Sequence, residues 1–327
     1  MFNALVLEQQ DGKTLAAIKP LEPQQLPAGD VTVRVEYSSL NYKDGLAVTG
    51  AGKIIRDFPM VPGIDFAGVV VESTDSRYHA GDKVILTGWG VGESHWGGMS
   101  ELARVKGDWL VPMPTGTNSA DAMLIGTAGL TAMLCVQAIV DAGVNPADGP
   151  VLVTGASGGV GSTAITLLAK LGYQVSACSG RLEQNGPLLT ALGASELIDR
   201  DELAKPARPL EKQRWAAVID SVGEQILATA LAQMNYGGVA AICGLAAGFG
   251  LPTTVMPFIL RGVSLLGIDS VYCPREKRLA AWQRIIELLP NSFYQQAGTT
   301  ISLAQVPNYA AKIISGKVTG RTLVKIA

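Results

Sequence analysis

The residues best suited to chemistry form a glycine-rich turn near the middle of the chain. An apolar run, Val151–Thr154, leads into Gly155, Gly158 and Gly161, and an apolar-striped segment follows. Glycines at this spacing allow a tight turn and a close approach of the backbone to a diphosphate, and the start of the following helix offers N–H groups to the anion. Strand, glycine turn and helix in this order predict a dinucleotide site rather than a purely structural turn.

The tip of the next predicted strand, Gln174–Cys178, indicates which dinucleotide binds. Sites for NAD usually place an acidic residue about 20 positions after the glycine turn, where it binds the ribose 2′-hydroxyl. Here the tip continues as Ser179, Gly180 and Arg181, without a carboxylate to repel a 2′-phosphate. Because a serine hydroxyl and an arginine can donate to phosphate, the sequence favours NADPH over NADH. The alternative is that Arg181 is a solvated loop residue.

The sequence lacks an obvious ligand set for catalytic zinc. Zinc-dependent alcohol dehydrogenases polarise their substrate oxygen with a metal held by Cys and His. This chain has only His79 and His95, its four cysteines are scattered, and Asn41 and Asp65 stand where ligands are sought. Hydride transfer without a Lewis acid suits an electron-poor carbon, as in a quinone or a C=C bond conjugated to a carbonyl. We therefore expect reduction of an activated alkene or quinone.

Two hydrophobic patterns divide the chain and predict the fold class. Up to about residue 117, short β-patterned runs are broken by Gly, Pro and Asp, which is typical of a β-rich, barrel-like segment. From about Asp121, apolar strands alternate with helical segments, which predicts an α/β, doubly wound parallel sheet of the Rossmann type up to about residue 290. The tail is too short for its own core and is expected to return to the N-terminal domain.

Length, charge and composition exclude several function classes. A chain of 327 residues is long for one hydrophobic core, so two domains are expected. A balance of 26 Lys+Arg against 28 Asp+Glu supplies no field for nucleic acid or an anionic membrane. The apolar stretch Ala122–Val140 contains Gly and Thr and reads as a buried inter-domain helix. The scattered cysteines read as reduced thiols of a cytoplasmic protein.

Longer strings carry a resemblance to a known family. Ser38–Asp44, Val61–Gly68 and the glycine turn resemble the zinc-free quinone oxidoreductase branch of the medium-chain dehydrogenase/reductase superfamily. The resemblance covers essentially the whole chain. Within that branch, Thr87–Gly98 and Gly126–Ala132 are similar to the acrylyl-CoA reductase group, and they are more specific than the glycines.

The resemblance implies a domain plan and a set of site residues. A GroES-like catalytic domain would comprise residues 1–122 and 292–327, and a Rossmann NADPH-binding domain residues 123–291, with NADPH in the cleft between them and a homodimer as the assembly. Tyr42 would lie beside the nicotinamide, which makes it the candidate catalytic residue. Together with Tyr42, the implied cofactor contacts are Gly155, Ser157, Gly158, Gly159, Val160, Gly161, Ser179, Gly180, Arg181, Arg200, Leu245, Ile259 and Ser270.

The function implied is NADPH-dependent reduction of the activated C=C bond of acrylyl-CoA to propionyl-CoA, without metal. Two alternatives stay open: a quinone or enone reductase, and a non-catalytic NADPH-binding protein. Several side chains also have two interpretations. Lys43 and Asp44 either serve the substrate or form an ion pair or cap; loop residues either shape an acyl pocket or pack locally; basic residues near the C-terminus either meet coenzyme A phosphates or are ordinary surface charges. The loop residues are Trp89, His95 and Trp96, and the basic residues are Arg321 and Lys325.

Overall fold

The computed structural model of the chain describes residues 1–326. In these residues the chain forms fifteen strands and ten helices, numbered here in chain order. The strands are β1 Phe2–Gln10, β2 Lys13–Leu21, β3 Val31–Ser39, β4 Asp65–Ser73, β5 Lys83–Thr87, β6 Leu102–Val105, β7 Leu110–Pro112, β8 Val151–Val153, β9 Val175–Ser179, β10 Glu196–Asp199, β11 Trp215–Asp220, β12 Met234–Ile242, β13 Ser264–Gly267, β14 Gly298–Ser302 and β15 Arg321–Lys325. The helices are α1 Tyr42–Thr49, α2 Ser119–Asp141, α3 Gly159–Lys170, α4 Leu182–Ala191, α5 Arg200–Leu203, α6 Glu224–Ala232, α7 Met256–Arg261, α8 Arg275–Leu288, α9 Asn291–Gln296 and α10 Val306–Ile314.

Two compact units make up the chain. The first contains Met1–Thr127, Ser270–Ile286 and the chain from Ala297 on, and the second contains Ala128–Asp269 and Glu287–Gln296. The first is β-rich and the second is built on a parallel sheet, so the predicted α/β fold class is confirmed.

A seven-stranded sheet dominates the first unit. Its strand order is β14-β15-β3-β4-β5-β7, with β6 paired to β3, and β1 and β2 form a separate hairpin. Val31, Val33 and Val35 alternate along β3 and pack into one core cluster with Phe66, because every second side chain of a strand faces the same side. Strand β15 pairs antiparallel with β3, so the tail does return to the N-terminal sheet as expected.

The second unit is a six-stranded parallel sheet. Its order, β10-β9-β8-β11-β12-β13, places the first strand of the unit, β8, between the second and the fourth. The run Val151–Val153 is wholly buried, and so is Trp215–Asp220, as expected for strands covered on both faces. The strand order reverses between β8 and β11, and ligands of doubly wound sheets bind at the carboxyl ends of strands beside such a point.

Helix α2 carries the longest apolar stretch of the chain. It is the one helix in residues 1–326 that is long and apolar enough to cross a membrane. Yet 72% of its apolar stretch of 18 residues is buried inside the protein. This burial agrees with a core helix. The helix is also broken at Gly126, where φ is +51°.

Candidate functional site

The glycine turn joins β8 to α3 in the second unit. Gly155 has φ +58°, in the left-handed region that favours glycine. A Cβ atom added at Gly161 would lie 2.5 Å from the carbonyl oxygen of Gly155 and 2.6 Å from the Cα of Ala156. Gly158 is the N-cap of α3, and Gly159, Val160 and Gly161 form the first helical turn, whose N–H groups have no partner within the helix. The turn therefore fits an anion approached by backbone alone.

A buried carboxylate is hydrogen-bonded to the residue that precedes this turn. Asp220, at the end of β11, is fully buried and accepts a hydrogen bond from Thr154 Oγ1 at 2.6 Å. Its second oxygen accepts the backbone N–H groups of Val222 (3.2 Å) and Gly223 (2.8 Å). Ser221 in turn donates through its N–H to Thr154 Oγ1 and through its hydroxyl to the Thr154 carbonyl, both at 3.2 Å. These bonds fix the carboxyl ends of β8 and β11 together.

A basic surface forms at the tip of β9. Ser179 Oγ donates to Ser157 Oγ at 3.4 Å, which joins the strand tip to the glycine turn. Arg200, which follows β10, lies against Gly180: a Cβ atom added there would be 2.6 Å from its Cζ. Arg181 is the N-cap of α4. The structure thus brings the glycine turn, the tip Ser179–Arg181 and Arg200 to neighbouring strand ends of one sheet.

The later cofactor candidates are less closely grouped. Leu245 follows β12 and lines a cavity of about 460 Å³ with Cys243, Gly267 and Asp269. Ile259 lies in α7, is 70% exposed and does not line this cavity. Whether Leu245 and Ile259 contact the cofactor stays a prediction.

Tyr42 is the first residue of α1 in the first unit and is 40% exposed. The turn before it is fixed by Asp44, whose Oδ2 accepts the Asn41 N–H at 2.8 Å. The other carboxylate oxygen of Asp44 accepts the N–H groups of Gly63 (3.1 Å) and Ile64 (3.0 Å). Of the two interpretations of Asp44, these contacts support the cap.

Lys43, the residue between Tyr42 and Asp44, has a different partner. Its Nζ lies 2.9 Å from Glu93 Oε1, and both side chains are partly exposed. Lys43 therefore forms an ion pair with the loop that follows β5, not with its neighbour Asp44.

Arg321 is the centre of a buried polar cluster in the same unit. Its side chain donates to Ser39 Oγ at 2.7 Å and to Asn41 Oδ1 at 3.1 Å. Asp65 completes the cluster by accepting from Ser39 Oγ (2.6 Å) and Asn41 Nδ2 (3.0 Å). Arg321 is only 3% exposed, so both predictions made for it, a contact with coenzyme A phosphates and an ordinary surface charge, are wrong. Lys325 is exposed, and its role stays a prediction.

The break in α2 belongs to this cluster. At Gly126 an added Cβ atom would lie 2.5 Å from Arg321 Nη2 and 2.9 Å from Asp65 Oδ2. The break leaves the Thr127 N–H to donate to Asp65 at 2.8 Å and the Leu124 carbonyl to accept from Arg321 Nε at 2.9 Å. The string Gly126–Ala132 thus begins with a glycine that the buried charges require.

The side chains of the loop after β5 pack locally. Trp89 makes an edge contact with Tyr272, and the ring of His95 does so with Trp109. His95 Nε2 is also 2.8 Å from the Arg104 carbonyl, and burial lowers the pKa of this imidazole. These contacts support loop packing over an acyl pocket for both side chains. Trp96 Nε1 donates to a backbone carbonyl at 3.3 Å, which is also a packing contact.

Ser270, the last cofactor candidate, is held by a buried arginine in the first unit. Arg278 is 1% exposed and donates to the carbonyl of Ser270 at 3.1 Å. The same guanidinium donates to Thr87 Oγ1 at 2.6 Å and to the Thr87 carbonyl at 2.7 Å. It therefore ties the chain at Ser270 to the end of β5.

Comparisons with known proteins agree with this geometry. Two family models match, the alcohol dehydrogenase GroES-like domain at residues 27–115 and the zinc-binding dehydrogenase at residues 159–288. The chain is 65% identical to the "Probable acrylyl-CoA reductase AcuI" of Escherichia coli K12, over 99% of this chain and 100% of that protein. It is 53% identical to the "Acrylyl-CoA reductase AcuI" of Ruegeria pomeroyi, over 100% of this chain and 99% of that protein. The crystal structure of the yhdH oxidoreductase from Salmonella enterica in complex with NADP matches with a TM-score of 0.98 and 65% identity, over 99% of this chain and 100% of that one.

The chain belongs to the zinc-free quinone oxidoreductase branch of the medium-chain dehydrogenase/reductase superfamily. The second family model is named after zinc, yet the segment it matches contains no histidine. Among residues 1–326, no group of three His, Cys, Asp or Glu side chains is arranged to hold a metal ion. Asn41 and Asp65 stand where zinc ligands were sought, and their side chains form hydrogen bonds within the Arg321 cluster.

Sequence reasoning missed three supporting residues: Thr154, Asp220 and Arg278. One signal was available for Asp220, because a lone carboxylate ends the otherwise apolar strand Trp215–Asp220, at the edge of the sheet where ligands bind. Arg278 gave no such signal, because it lies in α8 among other charged residues.

The cap residue Asp44 predicts a measurable pH dependence. Burial, aided by the charge of Asp65, raises the pKa of Asp44 to about 7. The folded protein therefore binds the Asp44 proton more tightly than the unfolded chain does. The contribution of the protonated Asp44 to the free energy of unfolding is complete at pH below about 4 and is lost as the pH rises through about 7. Relative to Asp44→Asn, we expect the free energy of unfolding of the wild type to fall by up to ~4 kcal/mol across this window.

Urea unfolding of the wild type and Asp44→Asn at pH 4 to 8 measures the difference between their free energies of unfolding. Only the change of this difference with pH reports on the pKa of Asp44. A difference that stays level across the window, or that grows in favour of the wild type, contradicts a raised pKa for Asp44.

Proposed function

We propose that the chain reduces the activated C=C bond of acrylyl-CoA to propionyl-CoA, with NADPH as the hydride donor. The observation that carries the proposal is the meeting of the glycine turn with the basic tip of β9, in a chain with two full-length relatives named acrylyl-CoA reductases. Two solved structures that are 64% and 65% identical to the chain hold NADPH and NADP, which supports the cofactor assignment.

The residues of the second unit fit NADPH well. A side chain at Gly161 would clash with the backbone of Gly155 and Ala156, so glycine there lets the start of α3 pack tightly on the turn. The N–H groups of the first turn of α3 can then bind a diphosphate. Ser179, Arg181 and Arg200 supply a hydroxyl and two guanidinium groups for the 2′-phosphate. The N–H groups and the guanidinium groups thus bind the charged parts of the cofactor at two separate places along the sheet edge.

When bound, NADPH supplies a hydride to the β-carbon of the acrylyl group. Because the thioester carbonyl accepts the displaced electron pair of the C=C bond, the α-carbon can take its proton from water, and no dedicated acid is required. We assign Tyr42 a positioning role, in which its ring packs beside the nicotinamide. The capped turn of Asn41 and Asp44 holds the start of α1 and thereby the backbone of Tyr42.

We also propose a homodimer as the assembly and the cytoplasm as its location. Support for a dimer comes from large apolar side chains that the second unit leaves exposed in the segment between β12 and β13, among them Phe249 (96% exposed), Val255 and Leu260. The cysteines are free thiols, which suits a reducing compartment. For the functional domains we retain the limits 1–122 with 292–327 and 123–291 as a proposal.

The proposed function is tested by NADPH oxidation with acrylyl-CoA, free acrylate, a simple quinone or no acceptor. We expect the highest kcat/KM with acrylyl-CoA and propionyl-CoA as the product, identified by mass spectrometry. A clear preference for the quinone makes the chain a quinone or enone reductase instead. Turnover with none of the acceptors, despite tight NADPH binding, makes it a binding protein.

Arg181 predicts cofactor discrimination. Arg181→Ala removes a charge-assisted contact worth ~1.5–3 kcal/mol, so NADPH binding should weaken by roughly tenfold to a hundredfold while NADH binding barely changes. Fluorescence titration with both cofactors measures this. Arg208→Ala, at an exposed arginine of the same unit paired with Glu211, is the control and should change neither affinity. Equal losses for NADPH and NADH in Arg181→Ala remove the 2′-phosphate role.

Tyr42 predicts a small effect of losing its hydroxyl. Tyr42→Phe keeps the aromatic ring, so a positioning residue should retain most of its activity, whereas a positioned general acid would lose about 10²–10⁴-fold in kcat. Steady-state kinetics with acrylyl-CoA decide between the two. A hundredfold fall in kcat with unchanged NADPH affinity makes Tyr42 the proton donor.

A further inference from the structure

The loop that follows α1, residues 50–59 and here called the α1 loop, carries two exposed cations, Lys53 and Arg56. The loop is ordered by its apolar side chains: Ile54, Ile55 and Phe58 pack against a core cluster of the first unit. Its backbone is also held, since the Gly52 N–H donates to the Leu46 carbonyl of α1 at 3.4 Å. Packing therefore fixes the loop backbone, while the two charged side chains stay in solvent.

Arg56 is exceptional among the arginines of the chain. Within residues 1–326 it is the only arginine that makes no hydrogen bond, ion pair or ring contact. Lys53 likewise has no carboxylate within ion-pair distance in this part of the chain. The α1 loop thus holds two cations without an ion-pair partner and one carboxylate, Asp57, in a chain whose net charge is −2.

The loop lies at the other end of the helix that begins with Tyr42. A helix of eight residues such as α1 spans ~12 Å. In an acyl-CoA, the pantetheine arm separates the reacting thioester from the phosphates by an extended chain. A substrate whose C=C bond is beside Tyr42 therefore needs its phosphate contacts away from Tyr42, and the α1 loop offers cations there.

We propose that Lys53 and Arg56 bind the phosphates of the coenzyme A moiety, an inference that rests on the proposed function. Arginine can grip a phosphate with two parallel N–H···O bonds, and lysine adds a mobile point charge. The contact acts on the handle of the substrate, remote from the reacting carbons. It contributes to binding in the ground state and the transition state alike, so it lowers KM without changing kcat.

The test compares acrylyl-CoA with the acrylyl thioester of pantetheine, which lacks both the phosphates and the adenosine of coenzyme A. For the double variant Lys53→Gln/Arg56→Gln we expect the KM for acrylyl-CoA to rise about tenfold, because two exposed charge-assisted contacts are lost. We expect kcat with acrylyl-CoA, and all constants for the pantetheine thioester, to stay within about twofold of the wild type. Lys83→Gln, at an exposed lysine in the same unit, is the matched control and should leave both substrates unaffected.

The outcomes separate this proposal from the proposed function. If the wild type reduces acrylyl-CoA and the double variant shows an unchanged KM, or an equal rise in KM for both thioesters, the α1 loop does not bind the phosphates and the proposed function stands. If the wild type reduces neither thioester, both proposals fall. Thermal unfolding of the double variant near the wild-type temperature excludes a folding defect as the cause of a raised KM.

Discussion

The buried network around Arg321 and Asp65 is the constraint on which the first unit depends. It joins the end of β3, the start of β4, the break in α2 and the first residue of β15 through hydrogen bonds of 2.6–3.1 Å. Two charges buried at this depth are stable only when their hydrogen-bonding capacity is used, and removing one partner typically costs ~3–5 kcal/mol. The same bonds hold Asn41, the residue before Tyr42. The candidate catalytic turn is therefore set by a polar network in addition to apolar packing.

The second unit also contains a buried, hydrogen-bonded carboxylate beside its candidate site. Asp220 is buried at the end of a parallel strand, and its oxygens take up the hydroxyl of Thr154 and two backbone N–H groups. Burial raises the pKa of Asp220, and the hydrogen bonds from these donors oppose that shift. The glycines of the turn have no side chains that could hold it, so bonds from the neighbouring strand help to set its shape. An open turn can then present its N–H groups to an anion without rearrangement.

Burial separates two structural arginines from the three arginines that we propose to bind phosphates. Arg278 and Arg321 are nearly inaccessible and donate to carbonyls and hydroxyls of the first unit. Arg181, Arg200 and Arg56 lie at the surface, on loops or at helix starts. A substrate and a cofactor that both carry phosphates suit a chain that is slightly acidic overall but keeps these cations accessible. With the proposed function, each phosphate is bound by its own arginines, and no large basic face is required.

Features that depend on neighbouring residues could be predicted from the amino-acid sequence. The glycine turn, the tip Ser179–Arg181 and the strands of both sheets follow from local periodicity and spacing, so their positions and the preference for NADPH were readable directly. The predicted strand Gln174–Cys178 differs by one residue at each end from the observed β9, Val175–Ser179. Longer strings added the family, and with it the candidate role of Tyr42.

Features that join distant parts of the chain could not be predicted and became visible in the folded chain. Arg321 looked like a surface cation because its partner Asn41 is 280 positions away, and no local pattern reports such a contact. Lys43 and Asp44 are adjacent, yet Lys43 pairs with Glu93 and Asp44 caps the turn at Asn41. Their different partners follow from the segments that fold against each side chain. Arg200 reaches Gly180 only because β9 and β10 are neighbours in the sheet. Burial and partnership are properties of the folded chain, since they depend on what packs against a residue rather than on its type.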